Sequence, residues 1–138
     1  GYRLIQVYEI NGTAKLEREN IGNMDAYENL NLLSGDLLSV LQESFLRLKM
    51  DEDKYMLVEQ DSVISIYATG TDKKSKTDIH LEKGAVTVEV QNKLTEDSSF
   101  EVTTSKSDLF KSTTAFLSFK ISMISKSLSS RGVELSIT

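Results

Sequence analysis

The clearest strand pattern in the chain is Val86-Thr87-Val88-Glu89-Val90-Gln91. Three valines alternate with three polar residues, and successive side chains of a strand point to opposite faces. The stretch reads as a strand with one buried and one wet face. Just upstream, Ile79-His80-Leu81 is a second apolar-polar-apolar unit, and Lys83-Gly84 reads as the turn that ends it. Gly70 to Thr77 reads as a charged loop. Before it, Tyr55 to Glu59 and Val63 to Tyr67 read as two short strands, and Asp51-Glu52-Asp53-Lys54 as a turn. Phe45, Leu46, Leu48 and Met50 make another strand, with Arg47 and Lys49 outward. Downstream, Phe100 to Thr103 follows the same pattern. Short strands separated by frequent turn signals point to an all-β domain.

The two ends of the chain extend this reading. Leu4 to Ile10 and Thr13 to Arg18 flank Asn11-Gly12. Asn-Gly between two such runs signals a hairpin, because a type I′ turn needs positive φ at both central residues. Asn11-Gly12-Thr13 is also a glycosylation sequon, and it reads first as this turn. Residues 19–33 read as a short helix or a loop, and Ser34-Gly35-Asp36 as a turn. From Thr113 to Met123, period-two alternation competes with helical spacings. Its Ser and Thr content favours strand. Ser125 to Arg131 reads as a loop with Gly132 as its turn residue, and Val133, Leu135 and Ile137 as a last strand. The segment Thr113–Thr138 is expected to complete the sheet or to pair with another copy of the chain. In both cases the face of Leu117, Phe119, Ile121 and Met123 is expected to be buried. The predicted fold is all-β: mostly antiparallel short strands in a solenoid-like roll or sandwich, with at most one or two short helices. No long repeat, linker or low-complexity tract is visible.

Composition narrows the chemistry. The chain has 138 residues, is 39% hydrophobic and 27% charged, and so reads as ordinary globular material rather than a disordered chain. No apolar run reaches the ~18–20 residues of a membrane span. No signal peptide is visible at Gly1, which leaves room for a cleaved signal or an anchor ahead of it. A net charge of −5 disfavours nucleic acid and anionic membrane surfaces as partners. That charge is uneven. Residues 106–138 hold five cations against two carboxylates, a net of +3, so the rest carries −8. With no cysteine, disulfides, thiolate zinc sites and cysteine nucleophiles are excluded.

Few residues suggest reaction chemistry. His80 is the single histidine, and Asp78 could share its strand face. A general base needs such an orienting partner. Yet no Gly-x-Ser-x-Gly elbow accompanies the pair, and a half-exposed strand histidine is the simpler reading. Asp51, Glu52 and Asp53 could grip calcium but lack an EF-hand pattern, so they read as an acidic hairpin turn. No Gly-rich phosphate loop exists. Tyr2, Tyr8, Tyr27, Tyr55 and Tyr67 could supply an aromatic platform, since tyrosine offers an apolar face with a polar tip. The candidate binding surface is therefore Tyr8, Tyr55, Tyr67 and His80. No catalytic residue, metal site or cofactor is expected.

The order of the pieces resembles a FecR-like domain. Val7-Tyr8-Glu9-Ile10-Asn11-Gly12-Thr13-Ala14 is similar to the family's opening strand–Gly–strand. Leu32-Leu33-Ser34-Gly35-Asp36 matches a Leu-x-x-Gly-Asp element. Phe45-Leu46-Arg47-Leu48 and Tyr55-Met56-Leu57-Val58-Glu59 resemble its alternating strands. His80 to Val90 around Gly84 resembles its second strand–Gly–strand unit, and Phe100-Glu101-Val102-Thr103-Thr104-Ser105 its Phe-x-Val-x-Thr-Pro element. Thr104, Thr114 and Phe116 keep the spacing of the final Arg-Gly-Thr-x-Phe signature. There the chain departs, with Ser105 for the proline, Ser112 for the arginine and Thr113 for the glycine. The resemblance covers residues 2–104. It implies one FecR-like β domain over residues 1–138, with 113–138 divergent, lying outside the cytoplasmic membrane of a bacterium, in the periplasm or on the cell surface. It also implies a non-enzymatic signalling or protein-interaction role, with an anchor outside this chain as the link to the membrane. The expected partner is a protein or a cell-envelope polymer, and the expected state a monomer or a strand-exchanged dimer. A carbohydrate- or wall-binding module is the alternative. An enzyme is the third class, disfavoured by the sparse site chemistry.

Overall fold

The structure is a computed structural model that describes residues 3–91, 94, 97–104, 109–112, 117–123 and 131–137, the last three stretches as backbone alone. The described residues contain twelve strands and no helix. In chain order they are β1 (Ile5–Asn11), β2 (Ala14–Arg18), β3 (Gly22–Asp25), β4 (Leu37–Val40), β5 (Phe45–Met50) and β6 (Lys54–Val58). Then follow β7 (Val63–Gly70), β8 (Ser75–Val90), β9 (Ser99–Thr104), β10 (Leu109–Ser112), β11 (Leu117–Met123) and β12 (Arg131–Ile137). The all-β prediction holds. The strands form one sheet that curls over on itself into a half-barrel with two walls. The front wall runs β1-β5-β6-β8-β11-β12 and the rear wall β3-β2-β4-β7-β8-β9-β10. All pairs are antiparallel except β8 with β9.

The chain crosses between walls at stacked arches. It passes from β1 to β2, from β4 to β5 and from β6 to β7, each time changing wall. Two arches repeat one local sequence, Gln42-Glu43-Ser44 and Gln60-Asp61-Ser62. Glu43 and Asp61 both take a positive φ, 57° and 59°. Ser44 Oγ accepts the Thr13 N–H and Ser62 Oγ accepts the Ala85 N–H, each at 2.9 Å. Gln60 Oε1 accepts the Glu43 N–H at 2.9 Å. These bonds tie each arch to its neighbour and satisfy backbone donors that no ladder reaches.

Four local readings need correction. Asn11-Gly12 is an arch and not a hairpin. Gly12 takes φ 82°, as the turn signal requires, but Asn11 stays in β1 opposite Phe45. Val7 and Leu16 are both fully buried, from opposite walls, and burying both outweighs local pairing. Gly84 does not end a strand. β8 runs through it from the rear wall to the front, bent by the bulge at Glu82, where Val63 pairs with Lys83 and Ile64 with Leu81. The loop expected over Gly70 to Thr77 shrinks to 71–74, because the β7–β8 ladder extends to Gly70 opposite Ser75. Gly132 lies within β12 opposite Ser122.

Residues 19–33 hold β3 and then a strap rather than a helix. The strap bonds the outer edge of β1 through Val7 N–H to Leu30 O, Asn29 N–H to Val7 O and Leu32 N–H to Ile5 O, and tucks Ala26, Leu30 and Leu32 into the core. Strands β4 and β10 were not anticipated. The segment after Thr113 completes the front wall: β11 pairs with β8 and β12 with β11. The side chains of Leu117, Phe119, Ile121 and Met123, and residues 113–116 and 125–130, lie outside what the structure describes.

The core fills the space between the walls. Leu46, Leu48, Met56 and Val88 from the front meet Leu38, Ile64, Ile79 and Phe100 from the rear, all fully buried. Each such side chain stabilises by about 1.5–3 kcal/mol. Two buried ion pairs close the structure away from the arches. Arg3 grips Asp51 with two bonds, at 3.3 and 2.9 Å, and reaches the rear wall at Thr69 O, Lys76 O and Thr77 Oγ1. Arg18 grips Asp36 at 3.0 and 2.8 Å, and Asp36 also accepts the Leu33 N–H at 2.8 Å.

Candidate functional site

The four residues predicted as a binding surface separate into two pairs on opposite outer faces. Tyr8 and Tyr55 lie on the front wall, Tyr67 and His80 on the rear wall.

On the front wall a bulge in β1 sets the geometry. Val7 pairs with Leu48 and Glu9 with Arg47, so Tyr8 is the extra residue. Val7 points into the core, while Tyr8 and Glu9 both face outward. A bulge re-aims a side chain in this way. Tyr8, 56% exposed, reaches across β5 to Tyr55 on β6, edge to face, with ring centroids 6.0 Å apart and planes at 75°. Arg47 lies on β5, the strand between them in the sheet. Its guanidinium sits 5.8 Å from the Phe45 ring centroid and its Nε is 3.3 Å from Glu9. Tyr8, Tyr55, Thr87, Glu89 and Gln91 line a cleft of about 300 Å³, and Phe45, Glu43 and Gln60 line a second of about 380 Å³. Arg47 and Leu57 line both, so the clefts adjoin.

This surface has the makings of a recognition site. Tyrosine and arginine dominate the residues that carry binding energy at protein interfaces. Sequence reasoning placed Arg47 outward but did not join it to the tyrosines. The bulge brings them together, and one extra residue in a ladder leaves no compositional mark.

On the rear wall, Tyr67 lies opposite Asp78, and Ser65 opposite His80. His80 Nδ1 and Thr103 Oγ1 are 3.1 Å apart. Asp78 lies beside Glu101 in the parallel β8–β9 register and shares a hydrogen bond with it. Burial pushes the Asp78 carboxyl above its ordinary range, and the charge of Glu101 adds to the shift while Lys76 opposes it. The folded state therefore holds this proton more tightly than the unfolded chain. The linked stability is present below the ordinary carboxylate pKa and is lost as pH rises through the folded value. Asp78→Asn should thus leave the melting temperature unchanged near about pH 3 and raise it near about pH 7. A variant no more stable than the parent at neutral pH would contradict this.

The acidic turn is a hairpin turn between β5 and β6. Its carboxylates face internal cations: Asp51 meets Arg3 and Lys54, Asp53 meets Lys54, and Glu52 meets Lys49. Among the described residues no group of three or more His, Asp or Glu gathers as metal ligands would. No family model, no curated protein and no solved structure matches this chain.

Proposed function

We propose that the domain is a non-enzymatic protein-interaction module of a bacterial envelope or surface protein, working outside the cytoplasmic membrane. It grips its partner through Tyr8, Tyr55 and Arg47. The bulge at Tyr8 carries this reading, because it spends a ladder position to stand a half-exposed tyrosine beside a second aromatic and an arginine. The extracytoplasmic placement and signalling role rest on the FecR-like resemblance. Tyr8 and Tyr55 stand at 75°, which makes a corner for a side chain rather than a flat platform for a sugar chain. That favours a protein partner over a wall polymer.

A photo-crosslinking residue at position 8, compared with one at position 67 on the rear wall, tests the reading in the source cells. The position-8 probe should give one discrete protein adduct, and the position-67 probe none. Arg47→Ala should weaken binding to that protein about 30-fold, the ~2 kcal/mol of an interface hot spot. Adducts equal from both walls would refute the assignment. Retention on purified cell wall that Tyr55→Ala abolishes would install the carbohydrate reading instead.

A further inference from the structure

A groove of about 730 Å³ crosses the outer face of the rear wall. One row of side chains sets its shape. Glu17 on β2 lies opposite Leu37 on β4, Leu37 opposite Ser65 on β7, and Ser65 opposite His80 on β8. Glu17, Leu37 and Ser65 line the groove. Glu82 joins them from the β8 bulge, and the β2–β3 turn adds Glu19 and Ile21. The wall runs β2-β4-β7-β8, so carboxylates stand at both ends of the row. Three strand spacings, about 14 Å, separate β2 from β8. Leu37, half-buried, and Ile21, exposed at the turn, give the groove its apolar surface.

Two features of this groove are unsatisfied by the protein itself. The first is charge. Arg18 is the one cation in the lining, and Asp36 and Asn31 O already hold its guanidinium. Among the described residues, no ion pair or hydrogen bond engages the carboxylates of Glu17, Glu19 or Glu82. The second is a hydroxyl. Ser65 is 8% exposed, and among the described residues its Oγ has no hydrogen-bond partner. The arch serines Ser44 and Ser62, equally buried, both use theirs. A buried polar group without a partner is rare in a native fold. Ser65 sits between the two acidic ends of the row, where a bound donor would reach it. A metal ion does not fit. Among the described residues, no three His, Asp or Glu converge as ligands, and the ends of the row lie too far apart for one ion.

We propose that this groove binds a linear alkyl polyamine. Glu82 takes one terminal ammonium, and Glu17 with Glu19 takes the other. An inner ammonium donates to Ser65 Oγ, and the methylenes lie along Leu37 and Ile21. The two acidic ends call for a ligand charged at both ends, and the apolar surface for a stem without polar atoms. An ammonium supplies only donors, which suits a site whose open groups are all acceptors. The site is separate from the Tyr8 face and takes a small cation rather than a protein.

An NMR titration of the isotope-labelled whole chain with spermidine tests the proposal. Amide shifts should centre on Ser65, Glu82 and the β2–β3 turn, with a dissociation constant below about 1 mM. Triacetylated spermidine keeps the length and loses the charges, and should bind about tenfold more weakly or worse. Glu82→Gln should weaken spermidine binding about fivefold, the loss of one exposed ion pair. Ser65→Ala should weaken it about tenfold, the loss of a hydrogen bond to a charged group. The same variant should melt no lower than the parent, since the free protein leaves that hydroxyl unpaired. Arg47→Ala on the front wall should bind spermidine as the parent does. Shifts that magnesium chloride reproduces at equal concentration would mean counterions over an acidic face, and would overturn the proposal. So would equal binding of the triacetylated form, Ser65→Ala binding as the parent does, or no saturation by about 10 mM.

Discussion

Asp36→Ala is expected to destabilise the fold by about 3–5 kcal/mol, the cost of removing one partner from a buried ion pair. Asp36 is 1% exposed and sits where β4 begins. Its two oxygens take the Arg18 guanidinium and the Leu33 N–H. Truncation leaves a largely buried cation and a backbone donor without acceptors. The pair spans β2, the strap and β4, since Arg18 also donates to Asn31 O at 3.0 Å. Urea midpoints measure the effect. Replacing both partners with Arg18→Met and Asp36→Leu should recover part of the loss, because no charge is then stranded. A single Asp36→Ala variant within about 1 kcal/mol of the parent would mean that the pair is solvated and contributes little. The hydrogen bond to Asp36 also holds the Arg18 proton above its already high usual pKa. Raised pKa means the contribution is complete below the ordinary arginine value and lost only beyond it. It should therefore be flat across neutral and mildly alkaline pH.

Gly84→Val is expected to cost a comparable amount. Gly84 takes φ 89°, and a Cβ there would lie 2.1 Å from Ser62 Oγ and 2.5 Å from Ser62 Cα. The left-handed backbone costs an L-residue about 1–2 kcal/mol. The clash falls on backbone, so the arch must shift. Shifting it breaks the Ser62 hydroxyl bonds to Ala85 N and O, at about 0.5–1.5 kcal/mol each. The sum is about 2–5 kcal/mol from one added side chain. Gly22→Ala is the control. Gly22 has φ 91° but open space around its Cα, so only the backbone term should appear. If thermal melts showed the two variants equally stable, the arch contact would carry no weight.

The sequence discloses strands better than it discloses their partners. Val86, Val88 and Val90 announce a strand because their burial alternates with period two, and all three are fully buried. Nothing in them says that the strand began at Ser75 on the opposite wall. Asn11-Gly12 announces a positive φ, and Gly12 has one. A turn residue specifies the local dihedral and leaves open whether the strands beside it pair or face each other. The Gln-acid-Ser repeat is visible in the letters, yet only the stacked arches give it meaning. Lys54, 3% exposed, reads as a solvated turn residue, and its burial depends on Asp51 and Asp53. For the site, the exposed tyrosines were legible by residue type. Their division between two walls was not, because it follows from which strands share a sheet. The pairing of Tyr8 with Tyr55 was hidden too, because a bulge depends on the register of the partner strand.

Strand β8 belongs to both walls, and this fixes how the domain comes apart. Its rear half is flanked by β7 and β9 and its front half by β6 and β11. Neither wall can open fully without withdrawing the strand that holds the other. Amide exchange in such an arrangement is governed by the whole molecule rather than by one sheet. A nascent chain faces the same constraint. β1 to β7 can emerge in order, but the rear wall lacks its share of β8 until Lys83 has been made, and the front wall lacks its share until Val90.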